Sequence, residues 1–416
     1  MWLFFQIFFT TVLLGIQFFF YRELLGAGGR KPPRPWARRT LRALFVFFNA
    51  PLVLLLFGWR GFSHLPPVLV VSTVYPLYLW HSSFVFVFLV VLMKEAVRLP
   101  VTAVRSLFRN GNRDSSAGKA PPGAHPEAFD PRRRIFVGKS MTVLAGAAFT
   151  GSALGAFRKD SFDVTAVEVP VANLPAELQG FTIALASDIH SSVFMTLPTM
   201  KRYVSAINAM EADCIAVTGD FVNSMVDEVY PFAEAFSGLR APHGVYGVLG
   251  NHDYYTRNVD AVAREVDGCG IRLLMNERVL IQKGKGTLFL LGVDDTGNRE
   301  RAGQWFDRAG AGAGEGIPKI LMCHRPYQFE QAARRGIDLT LSGHTHGGQV
   351  VLARIGTDVI APARVASPYV AGLYSIGTSR MYVSRGIGTV GIPVRINCPP
   401  EITKITLVRS VPDGPG

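Results

Sequence analysis

Apolar positions along this chain follow two regimes. Over the first hundred residues they run almost unbroken, and the stretches 2–21, 41–57 and 67–93 are each close to or above the roughly 20 residues a helix needs to cross a hydrocarbon core. The third is long for one helix and contains Pro76, which predicts a tilted or kinked span, or a short re-entrant piece followed by a helix. A fourth run, 141–157, is rich in Ala and Gly. Between 110 and 131 Gly, Pro, Ser and charged residues dominate, the composition of a linker.

From about Phe162 the apolar runs become short and end at polar clusters. Residues 181–186 predict a buried strand ending at Ser187, Asp188 and His190; 214–217 one ending at Gly219-Asp220; and 244–249 one ending at Gly250-Asn251-His252-Asp253. Residues 320–323 lead to His324, and 339–341 to Gly343-His344-Thr345-His346. Helical patterns fit between them at 197–210, 229–236, 259–266 and 327–335, so a layered α/β sheet is expected. Strand-like segments at 279–282, 287–293, 381–384 and 402–408 suggest a second sheet. The run 309–316, AGAGAGEG, reads as a surface insertion without a core role. The expected organisation is a transmembrane helical region over 1–100, a basic linker over 101–138, a fourth span or anchor over 139–159 and a folded domain over 160–416.

Charge sharpens this division. The chain has a formal net charge of +12, but residues 1–159 hold 20 Lys and Arg against 5 Asp and Glu, leaving the remainder at −3. The positive excess therefore sits among the apolar segments, where Lys and Arg favour the cytoplasmic side. The loops 22–39 and 94–134 carry six and nine basic residues, whereas 58–66 carries only Arg60. With both basic loops inside, the domain after the fourth span lies on the extracytoplasmic face. Arg133-Arg134 ahead of the Ala/Gly-rich run resembles a twin-arginine export signal, or else is a plain positive-inside flank. The lipid bilayer is the expected partner. A nucleic-acid partner is not expected from a domain at −3, because binding a phosphate backbone depends on Lys and Arg. The four cysteines, Cys214, Cys269, Cys323 and Cys398, show no metal-type spacing, and Cys214 and Cys323 read as small core residues.

The strand ends carry the chemistry. Singly, an Asp there is more often a helix cap than a ligand. Together, five of the nine histidines fall at these ends, with Asp188, Asp220 and Asn251. Such a set suits two divalent cations about 3.5 to 4 Å apart, sharing a bridging hydroxide and clamping a phosphoryl group. Mixed nitrogen and oxygen donors favour Mn, Fe or Zn over Mg or Ca.

The blocks D-x-H, G-D-x-x-N, G-N-H-D, a lone His and G-H-x-H, in that order over roughly 182–406, resemble the calcineurin-like metallophosphoesterases. The stretches 342–349 and 384–402 resemble the membrane-anchored bacterial branch with a twin-arginine leader. The resemblance implies a four-layer α/β/β/α sandwich preceded by the membrane helices, in a multi-pass protein of the bacterial inner membrane. It also implies that Asp188, His190 and His346 bind one metal, Asn251, His324 and His344 the other, and Asp220 both. His252 would act at the leaving group rather than on metal, and Asp253 would either orient that imidazole or cap the next helix.

After Asp220 the chain reads Phe221-Val222-Asn223, without the arginine of phosphoprotein phosphatases, which turns the expectation toward a small phosphodiester or pyrophosphate, lipid-linked and phospholipid-like substrates included. Arg325 or Arg385 could replace that arginine. The competing readings are a pyrophosphatase for UDP-diacylglucosamine-type substrates on the cytoplasmic face, which needs the opposite topology, and a non-catalytic membrane receptor or scaffold.

Overall fold

The computed structural model describes residues 2–25, 33–56, 65–85, 150–151, 154–155, 161–355 and 358–410. The chain divides into two compact units, Met1–Leu154 and Gly155–Gly416. In the first, helices Trp2–Leu24 and Pro35–Leu56 cover the first two expected spans, and a third helical stretch enters through a π-helical turn at Val70–Val74 and continues over 75–85. Within this unit the Trp80 indole donates to Gln17 Oε1 at 2.6 Å, and its ring stacks on Phe48 at 4.6 Å. Among the described residues no helix is long and apolar enough to cross a membrane. The end of the third expected span, the twin-arginine pair and most of 141–157 lie outside the described residues.

The second unit is built on two six-stranded sheets and a two-stranded antiparallel ribbon of β10 (Ala353–Ile355) and β11 (Asp358–Ile360). The first orders β1 (Asp163–Val171), β14 (Glu401–Arg409), β2 (Thr182–Ala186), β3 (Cys214–Thr218), β4 (Val245–Val248) and β5 (Arg272–Leu273). The second orders β12 (Gly372–Ile376), β13 (Ser379–Val383), β9 (Leu339–Ser342), β8 (Lys319–Met322), β7 (Gly286–Gly292) and β6 (Glu277–Lys283). The central strands β2–β4 and β7–β9 run parallel, so their C-terminal ends share an edge within each sheet.

Period-two alternation explains why these strands read as unbroken apolar runs, since both of their faces are buried. Ile183 and Leu185 of β2, and Cys214 and Ala216 of β3, face a core shared with Ile320 and Met322 of β8 and Leu339 and Leu341 of β9. The alternate residues Ala184, Ala186, Ile215 and Val217 pack under helices Leu197–Asn208, Val229–Phe236 and Val259–Gly268. On the far side of the second sheet, Leu321 packs with Phe306 and Ala309 of helix Arg299–Gly310 and Ala332 of helix Phe329–Arg334. The layers are therefore helix, sheet, sheet, helix, a mixed α/β arrangement.

Two expectations give way. Segment 402–408 belongs to the first sheet, not the second, because β14 inserts between β1 and β2 and buries Ile405 and Leu407 toward the shared core and Ile402 toward the helices. The run beginning at Ala309 is not wholly a surface insertion, since Ala309 ends a helix and is fully buried. That helix presents Ala302, Phe306 and Ala309 to the sheet, and small side chains at helical spacing leave a weak hydropathy signal.

Phe232 is fully buried, its ring 5.1 Å from Phe221 and 4.3 Å from Phe236. Truncation leaves a cavity that rigid neighbours on helix and strand cannot fill. Phe232→Ala is expected to lower stability by about 3–5 kcal/mol, read as a shifted denaturant midpoint at unchanged slope. A midpoint within error of wild type would contradict this packing.

Candidate metal centre

Each block of the sequence pattern sits just beyond a strand end. Asp188 and His190 follow β2, Asp220 follows β3, Asn251 follows β4, His324 follows β8, and His344 and His346 follow β9. Main-chain bonds hold these ends in register: Asp188 N–H donates to Gly219 O, His190 N–H to Asp220 O and Gly343 N–H to His324 O, each at 3.0 Å. Asp188, His190, Asp220, His344 and His346 all have positive φ, between 48° and 73°. Non-glycine residues rarely hold that conformation unless their surroundings impose it, and such residues concentrate at functional sites.

The donor atoms form two groups joined by Asp220. His190 Nε2 lies 3.0 Å from His346 Nε2, and His346 Nε2 lies 3.5 Å from Asp188 Oδ1. In the second group His344 Nδ1 lies 3.3 Å from His324 Nε2. Asp220 Oδ2 stands between them, 3.5 Å from His190 Nε2 and 3.2 Å from His324 Nε2. Two ligands bonded at right angles to one ion at about 2.1 Å sit about 3.0 Å apart, so these spacings suit shared cations. Asn251 Oδ1 is buried without a hydrogen-bond partner among the described residues, leaving a further oxygen donor free just after β4. The residues present fit a pair of divalent cations.

The electrostatics agree with that fit. Burial first, then neighbouring positive charge, holds His190 and His346 well below the usual imidazole range and brings His344 to about 3, so all three rings stay neutral with a lone pair to give. Burial acts to lower His324 as well, but Asp220 outweighs it and raises the ring to about 10, while Asp220 is held well below the ordinary carboxylate range despite its burial. Burial, opposed by His324 and reinforced by Asp220, lifts Asp188 to about 6. A buried acid–base pair of this kind is a site prepared for a cation in the proton's place.

Two glycines let the carboxylates come this close. A Cβ on Gly343 would overlap Ser187 Oγ and Asp188 Oδ2, and one on Gly250 would overlap Asp220 Oδ1 and its backbone nitrogen.

His252 and Asp253 part company. The His252 ring is edge-on to His190, 4.5 Å between centroids, and packs on Tyr255 at 4.7 Å. His190, Asp220 and His252 also lie close enough together to hold an ion. The His252 Nδ1, however, lies 2.6 Å from the main-chain oxygen of Asn223. Among the described residues Asp253 makes no hydrogen bond to this ring and instead caps the helix Asn251–Tyr255. Its carboxylate accepts from Gly250 N–H at 2.8 Å, Asp220 N–H at 3.1 Å and Val222 N–H at 3.2 Å, which makes it a tie between the loops after β3 and β4. The loop that carries Asn223 is itself held by Glu228, whose Oε2 accepts from the N–H groups of Asn223, Ser224 and Met225 at 2.7 to 2.9 Å. Neither the Asn223 carbonyl nor Glu228 is visible as a motif. The main-chain carbonyl has no sequence signal, while a Glu five residues after an Asn is at most a weak capping hint.

The two candidate clamp arginines are occupied. Arg325 makes a bidentate pair with Asp295 at 2.6 and 2.8 Å and also donates to the Tyr327 hydroxyl. Arg385 pairs with Glu401 at 2.8 Å and Asp163 at 3.1 Å.

Residues 181–348 match the family model for calcineurin-like phosphoesterases. The chain is 34% identical over 257 residues to a "Transmembrane protein with metallophosphoesterase domain" of Danio rerio, covering 59% of this chain and 57% of that one. It is 28% identical to the uncharacterized metallophosphoesterase YkuE of Bacillus subtilis, covering 66% and 97%, and 29% identical to the phosphodiesterase YaeI of Escherichia coli, covering 55% and 82%. The chain thus spans less than two thirds of the length of the Danio rerio relative. Over residues 181–348 it is similar to the calcineurin-like phosphoesterases, and the relatives it matches are named as metallophosphoesterases or a phosphodiesterase.

Asp253→Asn keeps the shape of the tie, but one of its two acceptor oxygens becomes a donor facing a buried N–H. A loss of about 1–3 kcal/mol is expected, together with less metal per chain by elemental analysis, because the loops bearing Asp220 and Asn251 separate. Wild-type stability and metal content would show that the tie is dispensable.

Proposed function

We propose that this chain is a membrane-anchored, dimetal phosphoesterase that cleaves a phosphodiester or pyrophosphate. The observation that carries the reading is the position of Asp220 Oδ2 between two groups of imidazoles. In this reading Asp188, His190 and His346 hold one cation, Asn251, His324 and His344 the other, and Asp220 both. Bound there, two divalent cations neutralise phosphoryl charge and make a nucleophile available at neutral pH. Manganese, iron and zinc all suit the donors.

The chain's own residues supply the rest. With its Nδ1 against the Asn223 carbonyl, His252 has only Nε2 to offer a substrate, and we assign it to protonating the leaving oxygen. Engagement of Arg325 and Arg385 with carboxylates favours a substrate of low charge, a diester over a dianionic monoester. A relative named as a phosphodiesterase points the same way.

Anchoring is supported by the apolar first hundred residues and by relatives named as transmembrane proteins. The lipid-linked substrate, the bacterial inner membrane, the twin-arginine-like leader and the extracytoplasmic domain are parts of the same proposal, resting on the sequence pattern and the basic loops.

His252→Ala should retain both cations and lose roughly 10²- to 10⁴-fold in turnover. The deficit should shrink on p-nitrophenyl esters, whose leaving group needs little protonation, relative to alkyl esters. Loss of metal in this variant would make His252 a ligand instead.

For topology, a phosphatase reporter fused after Gly416 is expected to be active. Activity of a cytoplasm-only reporter at that point would reverse the orientation and favour the cytoplasmic pyrophosphatase reading.

A further inference from the structure

Behind the first ligand group lies a buried cation with no carboxylate partner among the described residues. Arg395 is 4% exposed and forms no ion pair among the described residues. Its guanidinium is satisfied by main-chain carbonyls: Nε donates to Gly388 O at 3.1 Å, and Nη2 to Gly388 O at 2.6 Å, Arg385 O at 2.8 Å and Gly386 O at 3.1 Å. Nη1 donates to Cys398 O at 3.2 Å and to His346 O at 3.4 Å. Burying a charge without a counter-ion is costly, and a guanidinium is tolerated here because carbonyl oxygens meet its planar fork of donors on every side.

The carbonyls it gathers belong to the segments that carry the first group. His346 is one of that group's donors. The 385–388 segment lies against another, since Ile387 N–H donates to Ser187 O at 3.0 Å and Gly388 N–H donates to Asp188 O at 2.7 Å. One side chain therefore fastens the turn of His346 to the strip of chain that backs Asp188, two ligands 158 positions apart in sequence. His324 and His344, in the second group, receive no bond from it among the described residues.

We infer that Arg395 is a positioning residue for the first cation, setting the separation of Asp188 and His346 through the carbonyls it bridges; this rests on the two-cation reading proposed above. Groups that orient metal ligands without touching the metal are typically worth about 10- to 100-fold in affinity. Because the fork geometry does the work, lysine cannot stand in for it, although it keeps the charge.

The test uses the purified full chain with Mn²⁺ as the probe, measuring ions per chain, the dissociation constant of each, and the electron paramagnetic resonance spectrum that separates a coupled pair from a single ion. Arg395→Lys and Arg395→Met should both weaken one ion by about 10- to 100-fold and leave the other unchanged, replacing the coupled signal by a mononuclear one. Neither should lower metal content further when combined with His346→Ala. The inference is overturned if Arg395→Met keeps both ions at wild-type affinity, or if Arg395→Lys restores wild-type binding that Met loses. It is equally overturned if both ions and the thermal stability of the metal-free protein fall together, the signature of mere support for the fold. Wild-type protein binding fewer than two ions would sink the two-cation reading itself, an outcome visible before any variant is made.

Discussion

One oxygen atom between two imidazoles organises the second unit. Asp220 Oδ2 can approach His190 and His324 together only if β2, β3 and β8, strands from two different sheets, bring their C-terminal ends to one place. The shared core of the two sheets is thus a condition of the site as well as a source of stability. A shift of either sheet by one residue would turn inward-facing Ile183, Leu185, Ile320 and Met322 outward and separate the donors in the same movement.

Bringing donors this close is unfavourable, and the surroundings supply the compensation. Five of the candidate ligand residues hold a left-handed backbone, conformations of order 1–3 kcal/mol each above the ordinary regions. Carboxylates and imidazoles are buried side by side, where like charges and lost hydration oppose them. What opposes the strain is local and polar. Asp253 gathers three N–H groups, Glu228 three more, and Arg395 five carbonyls. These ties hold loops, whereas the apolar core holds strands, so the two kinds of interaction support different parts of the same site.

That division explains how much was legible. Strand cores of β2, β3, β4, β8 and β9 stand out because both faces are apolar, and the ligands stand out because they follow those runs at once. The edge strand β1 is mostly exposed or half-exposed and leaves no such run, and helix Arg299–Gly310 buries one large side chain, Phe306, beside Ala302, Gly303 and Ala309. The ties were illegible for another reason. Asp295 is 30 residues from Arg325, and Arg395 acts on carbonyls that any residue type would present. Sequence pattern reports which side chains converge on the site but not which main-chain atoms hold them there.

The histidines show the same principle at the level of single nitrogen atoms. His324 and His252 are both held through Nδ1 by a carbonyl, Thr218 O in one case and Asn223 O in the other, so both present Nε2 forward. Their carriers differ. His324 follows β8 directly, and its Nε2 meets Asp220 Oδ2. His252 instead sits in the short helix Asn251–Tyr255, meets Asp220 only through its main-chain N–H at 2.8 Å, and takes its ring orientation from the loop that Glu228 holds. A ring fixed by two strands is suited to holding an ion at constant distance. A ring fixed by a loop can follow a leaving oxygen without disturbing the donors, which suits His252, among five imidazoles that a sequence pattern treats alike, to the proton-handling role proposed for it.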